Sequence, residues 1–276
     1  KAALAAAVIA CTFALACSLT GCASGGTDSS SADADNTSAS TDGKTLRVAM
    51  ELAYPPFETK DDAGNPEGLA VDFIRDFGAA YGYDVQIENT AWDGLIPSLQ
   101  SDKADLVISS MTITDERKQS VDFSDAYAMA QLAILANANS GVASIDDLNQ
   151  PGKKVAVKTG STGDVYATKN LTNAEIVRLA DESACVTEVV QGKADGFLYD
   201  QLTIYRNHQA NPDTTEAVFI PFQDAEEWGI AVKKGNTELL DQLNAFIAQS
   251  KTDGEFDRLT EKYLADEKKA FDQYGF

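Results

Sequence analysis

Two short stretches of this chain are written twice. Gly43-Lys44-Thr45-Leu46-Arg47-Val48-Ala49-Met50 returns as Gly152-Lys153-Lys154-Val155-Ala156-Val157-Lys158, and Lys103-Ala104-Asp105-Leu106-Val107-Ile108 returns as Lys193-Ala194-Asp195-Gly196-Phe197-Leu198. Each copy sets a strand-like apolar run after a glycine or a Lys-Ala-Asp turn, and the copies come in the same order. That order implies one β-α-β plan used in two successive halves. Between the runs the spacing is helical: Val71, Ile74, Phe77 and Tyr81 share a face, with Gly82 placed to stop the helix, and Leu95, Ile96 and Leu99 repeat the pattern. Residues 183–191 and 201–209 supply helices in the second half. Leu240, Leu243 and Ile247, then Phe256, Leu259 and Tyr263, form two more, separated by Gly254. Alternating short strands and helices predict an α/β fold with mostly parallel sheets covered on both faces. The roughly 230 residues from Lys44 onward suffice for two small lobes. Apolar runs at 132–136 and 229–232 lack turn signals and are expected to be the two crossing strands of a hinge. Lobe 1 would then be 44–132 plus 230–276, and lobe 2 133–229.

The N-terminus reads differently. Lys1 precedes an almost unbroken run of small apolar residues, the layout of a signal peptide over 1–21 and too short for the roughly 20 apolar residues of a membrane span. It ends in Leu19-Thr20-Gly21-Cys22, which resembles the bacterial lipobox. Cys22 is therefore the expected lipidation site and membrane anchor. After Cys22, the rest of the 22–43 segment is Ser, Thr, Ala, Asp, Gly and one Asn without aromatic or branched aliphatic side chains, a composition expected to form a disordered tether. Cleavage would leave Cys185 as the other cysteine, so no internal disulfide is expected, and its apolar neighbours Val186, Val189 and Val190 predict a buried, inert thiol. A formal net charge of −21 argues against nucleic acid, which needs a basic face.

In open α/β sheets ligands sit beyond the carboxyl ends of the strands, so the residues that follow each predicted strand are the candidate site. After the first strand come Glu51, Tyr54 and Phe57, with Pro55-Pro56 stiffening the turn. After the 106–108 run come Ser109, Ser110, Thr112, Thr114 and Arg117. After the 155–157 run come Lys158 and the turn Gly160-Ser161-Thr162-Gly163, and after 197–199 comes Asp200. The set suits a zwitterionic α-amino acid. Arg117 can meet a carboxylate with two parallel N–H groups, and Ser161, Thr162 and the turn amides can complete its solvation. Asp200, helped by Ser110 and Thr112, can accept from an ammonium, while Tyr54 and Trp92 can wall the aliphatic part. Singly, each has a plainer role: Arg117 as a partner of Asp115 or Glu116, Asp200 as a cap of the helix from Gln201, and Tyr54 or Trp92 as core.

Taken together these stretches resemble the amino-acid-binding proteins of ABC importers, bacterial extracellular solute-binding family 3, with the type II periplasmic-binding-protein fold. The densest match is Ala104-Asp105-Leu106-Val107-Ile108-Ser109-Ser110-Met111-Thr112-Ile113-Thr114-Asp115-Glu116-Arg117, followed by Val121-Asp122-Phe123-Ser124 and Tyr127. Tyr54-Pro55-Pro56-Phe57, Trp92-Asp93-Gly94-Leu95-Ile96-Pro97, Gly160-Ser161-Thr162-Gly163 and 195–200 support it. The resemblance implies that Arg117 and Thr162 hold the α-carboxylate, that Ser110, Thr112 and Asp200 receive the α-ammonium, and that Glu51 and Lys158 face the ligand side chain. An acid and a base there point first to glutamine and second to a cationic amino acid. It further implies closure of the lobes on the ligand, a permease as partner, a monomer, and no cofactor or metal.

Two other functions share the fold. An enzyme such as a cyclohexadienyl-type dehydratase is one, although His208 is the only histidine and is expected at the surface, and no nucleophile elbow, Cys-His pair or metal-ligand cluster is written in the chain. A ligand-sensing input domain is the other, and would need a signalling segment after it.

Overall fold

The computed structural model describes residues 43–274 and, beyond Lys269, backbone only. The signal-like segment, Cys22 and the tether up to Asp42 lie outside the described residues. Among the described residues no helix is long and apolar enough to cross a membrane.

Two five-stranded sheets carry the body, and they share one ordering rule. In the first, Lys44–Met50 lies between Tyr83–Asn89 and Leu106–Val107, both parallel to it; Ala231–Lys233 follows, antiparallel, and Val121–Phe123 closes the far edge. In the second, Lys154–Lys158 lies between Glu175–Leu179 and Gly196–Asp200, again parallel; Leu132–Asn137 follows, antiparallel, and Thr215–Val218 closes the edge. The sequence echoes occupy equivalent places in the two sheets. In both, the reversed strand is the one that receives the chain as it crosses between lobes.

The crossing itself is a separate antiparallel ribbon, Ala128–Ala130 paired with Glu226–Trp228. The runs at 132–136 and 229–232, expected as the crossing strands, lie within or lead into the two sheets instead. Their apolar character reports burial at inner sheet positions: Ala133, Ile134, Leu135 and Ala136 are essentially inaccessible, as are Ile230, Ala231 and Val232. The ribbon is short and has Met129 59 % exposed, so it carries no apolar signal of that kind.

The helices follow their stripes. Leu69–Tyr81 buries Val71, Ile74 and Phe77 and stops at Gly82, whose φ of 74° favours glycine. Leu95–Gln100, Glu182–Val190, Gln201–Ala210, Thr237–Ser250 and Glu255–Tyr263 match the predicted helices. Three went unforeseen, Thr162–Asn170, Ile145–Leu148 and Ala265–Tyr274. The first has almost no apolar stripe and is held by its N-terminal contacts with the second sheet. Cys185 is fully buried and its thiol is pushed up to about 12 by that burial.

Candidate functional site

All four inner strand ends open onto one chamber between the lobes. Glu51, Tyr54, Trp92, Ser110, Thr112, Arg117, Ser161, Thr162 and Asp200 line it, so nine of the ten residues expected from the sequence meet there. Lys158, the tenth, lies just behind this lining, ion-paired with Glu51 across the cleft and 5.3 Å from the Trp92 ring centroid.

Local geometry explains each placement. Glu51 is set by its backbone N–H, which donates to Ser109 Oγ at 2.9 Å. Tyr54 sits in a tight reversal in which its N–H donates to the Glu58 carbonyl and the Glu58 N–H returns to the Tyr54 carbonyl. Its hydroxyl crosses to lobe 2 and donates to Asp200 Oδ1 at 2.6 Å. Asp200 does cap the next helix, since the same Oδ1 accepts from the amides of Leu202 and Thr203 at 3.0 Å each. Capping and facing the chamber are thus one role. Ser161 is likewise a cap, accepting from the Asp164 amide at 3.2 Å. Gly163 lets that helix approach: a Cβ there would lie 2.4 Å from the Leu198 carbonyl oxygen.

Arg117 pairs with neither acidic neighbour. Its guanidinium donates to the Thr112 carbonyl at 2.7 Å and across the cleft to the Gly160 carbonyl at 3.2 Å, with its Cζ 5.2 Å from the Trp92 ring centroid. Trp92 therefore carries two cations on its ring, a favourable electrostatic arrangement. Ser110 adopts φ 47°, unusual for a side-chain-bearing residue, and its Oγ donates to Glu58 Oε2 at 3.2 Å.

Glu58, Tyr199, Glu226 and Trp228 also line the chamber and were not foreseen. Glu58 is fully buried, with Oε1 lacking any hydrogen-bond partner. Burial raises its pKa well above the usual range, with the Glu51 charge adding and the Ser110 bond opposing. Asp200 is raised for the same first reason, against the Tyr54 bond. Glu182, half-buried nearby, is pushed up to about 8 by burial, the Asp200 and Glu51 charges adding and Lys158 opposing. The signal for Glu58 was its position in a reversing turn behind two prolines, which returns the chain toward the strand end; Glu226 had none, because it arrives on the ribbon. His208 is half-buried, not at the surface as expected, its Nδ1 meeting Thr215 Oγ1 at 3.2 Å. Among the described residues no group of His, Cys, Asp and Glu is arranged to hold a metal.

Two lobes meeting over a charged chamber, joined by a two-stranded ribbon, define a cleft-binding protein of the solute-binding class. The family model of bacterial extracellular solute-binding proteins, family 3, matches residues 46–266. The chain belongs to that family. It is 35 % identical to a protein named as a probable histidine-binding protein of Neisseria gonorrhoeae, over 92 % of this chain and 94 % of that one. It is 33 % identical to the L-arginine-binding protein of Pseudomonas aeruginosa, over 84 % and 90 %. Among solved structures, an ancestral amino-acid-binding protein described as a precursor of cyclohexadienyl dehydratase superposes with a TM-score of 0.73 at 38 % identity, covering 80 % of this chain and 95 % of that one.

Proposed function

We propose that this protein captures a cationic L-amino acid in the inter-lobe chamber and passes it to an ABC permease, without chemical change. The observation that carries the side-chain preference is the surplus of carboxylates. Glu51 already has Lys158 as its counter-ion, whereas Glu58 keeps a buried, unpartnered oxygen beside the chamber. A buried acid without a cation is costly unless it is neutral or a ligand supplies the charge. This reverses the order suggested by the sequence, which placed glutamine first.

In this reading Arg117, Thr162 and Thr112 receive the α-carboxylate, and Asp200 with Ser110 receives the α-ammonium. Thr112, which the sequence had placed on the α-ammonium, changes role because its hydroxyl shares a carboxylate oxygen with that of Thr162. Trp92 and Tyr54 flank the aliphatic chain, and Glu58 and Glu51 meet the distal charge. The names of the histidine- and arginine-binding relatives support it. Cys22 would tether the protein to the membrane; incorporation of labelled palmitate, absent in Cys22→Ala, tests that part.

A thermal-shift screen against the common amino acids tests the ligand. At a hundred times its dissociation constant a ligand stabilises by about 2.7 kcal/mol. Arginine, lysine or histidine should shift the melting temperature more than glutamine does. If no amino acid shifts a well-folded sample, the reading fails. Recovery of the bound amino acid unaltered after prolonged incubation separates binding from the dehydratase alternative.

A further inference from the structure

Two of the three groups assigned above to a ligand carboxylate, the Thr112 and Thr162 hydroxyls, already hold one. Glu226 stands on the ribbon strand Glu226–Trp228, and its Oε2 accepts from Thr112 Oγ1 at 2.9 Å and from Thr162 Oγ1 at 2.7 Å. Its other oxygen accepts from Gln223 Nε2 at 2.7 Å. One hydroxyl from each lobe thus converges on a single carboxylate oxygen, and the charge of Glu226 acts favourably on Arg117. The loop that carries Thr112 is stitched to the same ribbon strand, since the Ile113 amide donates to the Glu227 carbonyl and the Gly229 amide to the Met111 carbonyl. The chamber is left with a volume of about 40 Å³. A single water needs roughly 10–15 Å³ of such space, so the chamber has room for no more than a few.

We propose that Glu226 is an intramolecular stand-in for the ligand's α-carboxylate, which closes the empty cleft and must be displaced when an amino acid binds. This deepens the amino-acid-binding reading and rests on it. The displaced carboxylate has somewhere to go. Gln223 and Glu226 also line the outer cavity, of about 530 Å³, which lies between the lobes with Lys169 on its wall. Displacement makes Glu226 an affinity- and specificity-setting residue. Binding of an amino acid is weakened by the fraction of molecules whose clamp is self-occupied. An amine that lacks a carboxylate has no reason to displace Glu226, and keeps its contribution to the closed state.

Calorimetric titration of the purified mature protein with L-arginine and with agmatine, which is arginine without its carboxylate, tests this. Glu226→Ala should bind L-arginine about tenfold more tightly or better, Glu226→Gln should fall between, and agmatine should gain nothing or weaken. A side chain that only supports the fold would lower both affinities together. L-Arginine binding to Glu226→Ala that equals or falls below wild type, with the fold intact by circular dichroism, overturns the proposal. Small-angle scattering of ligand-free samples supplies an arm that needs no ligand: wild type should be compact and Glu226→Ala expanded. Equal dimensions for the two would also overturn it. Failure of every amino acid to bind any of the three proteins, with the scattering difference present, instead removes the amino-acid reading and keeps Glu226 as the closing group.

Discussion

Asp105 and Asp195 occupy the same place in the two lobes. Asp105 accepts from the Arg47 amide at 2.8 Å and pairs with the Arg47 guanidinium at 2.7 Å. Asp195 accepts from the Lys154 amide at 2.8 Å and pairs with the Lys153 ammonium at 2.9 Å. Before each, two successive amides turn back to one helical carbonyl, that of Ser98 in lobe 1 and of Glu188 in lobe 2. The frames are alike, yet the strand ends are not. In lobe 1 the two strands that the sequence echoes mark, Lys44–Met50 and Leu106–Val107, run into long excursions, 51–58 and 109–117, which carry Tyr54, Glu58 and Arg117. Their lobe 2 counterparts are Lys154–Lys158 and Gly196–Asp200. In lobe 2 they pass almost directly into helices, so Ser161 and Asp200 cap helices while facing the chamber. Lobe 1 thus contributes side chains free to specialise, and lobe 2 contributes groups that its own helices require.

Substitutions can break that contrast. The largest effect is expected at Arg117→Ala, which should cost about 2–5 kcal/mol of ligand binding and leave the melting temperature of the empty protein little changed. Asp200→Ala should lose binding and stability together, the cap alone being worth about 0.5–2 kcal/mol. Titration paired with thermal melts reads both, and an Asp200→Ala protein as stable as wild type would remove the distinction. Next is Gly163→Ala, whose added methyl meets the Leu198 carbonyl; overpacking of this kind costs about 1–3 kcal/mol and should weaken binding as well.

A smaller effect follows from pH. Glu182 holds its proton more tightly in the folded state, at about 8 against the usual 4.5. The contribution of Glu182 to the stability of the empty protein should therefore fall as pH rises from about 4.5 to about 8 and level off above. A cationic ligand favours the ionised acids, so its affinity should rise over the same window with release of protons, seen by calorimetry in buffers of different ionisation enthalpy. Glu182→Gln should flatten both profiles; unchanged profiles would remove Glu182 as their source. The smallest test compares Asp105→Ala with Asp195→Ala. Each should cost about 1–3 kcal/mol and neither should alter binding, and a marked inequality in denaturant titrations would show the two frames to be less alike than their bonds.

What could be read in advance follows the same division. The paired echoes placed four inner strands, and the rule that ligands gather at strand ends brought Arg117, Thr162 and Asp200 together without any three-dimensional information. The rule is silent about residues that reach the chamber another way. Glu58 arrives through a turn that doubles back, Tyr199 faces inward one residue before its strand ends, and Glu226 and Trp228 arrive on the ribbon. The ribbon was itself misplaced, because its two strands of three residues each, with only Ala130 and Trp228 buried, are too short to differ from a loop in sequence, while the inner strands beside it are apolar for a different reason.

The position of Ala231–Lys233 in the first sheet sets an order of assembly. Val121–Phe123 pairs with that strand alone, so lobe 1 has an unfilled slot until residue 233 is available. The five strands of lobe 2 all lie within 132–218, an uninterrupted piece of chain. Closing the slot in lobe 1 needs contacts over more than a hundred residues, and contacts that distant in sequence form slowly. In pulsed hydrogen exchange during refolding, amides of 132–218 should gain protection ahead of those at 121–123. The inserted lobe would then complete first and, by bringing its two ends together, deliver the last strand to the lobe in which the chain began.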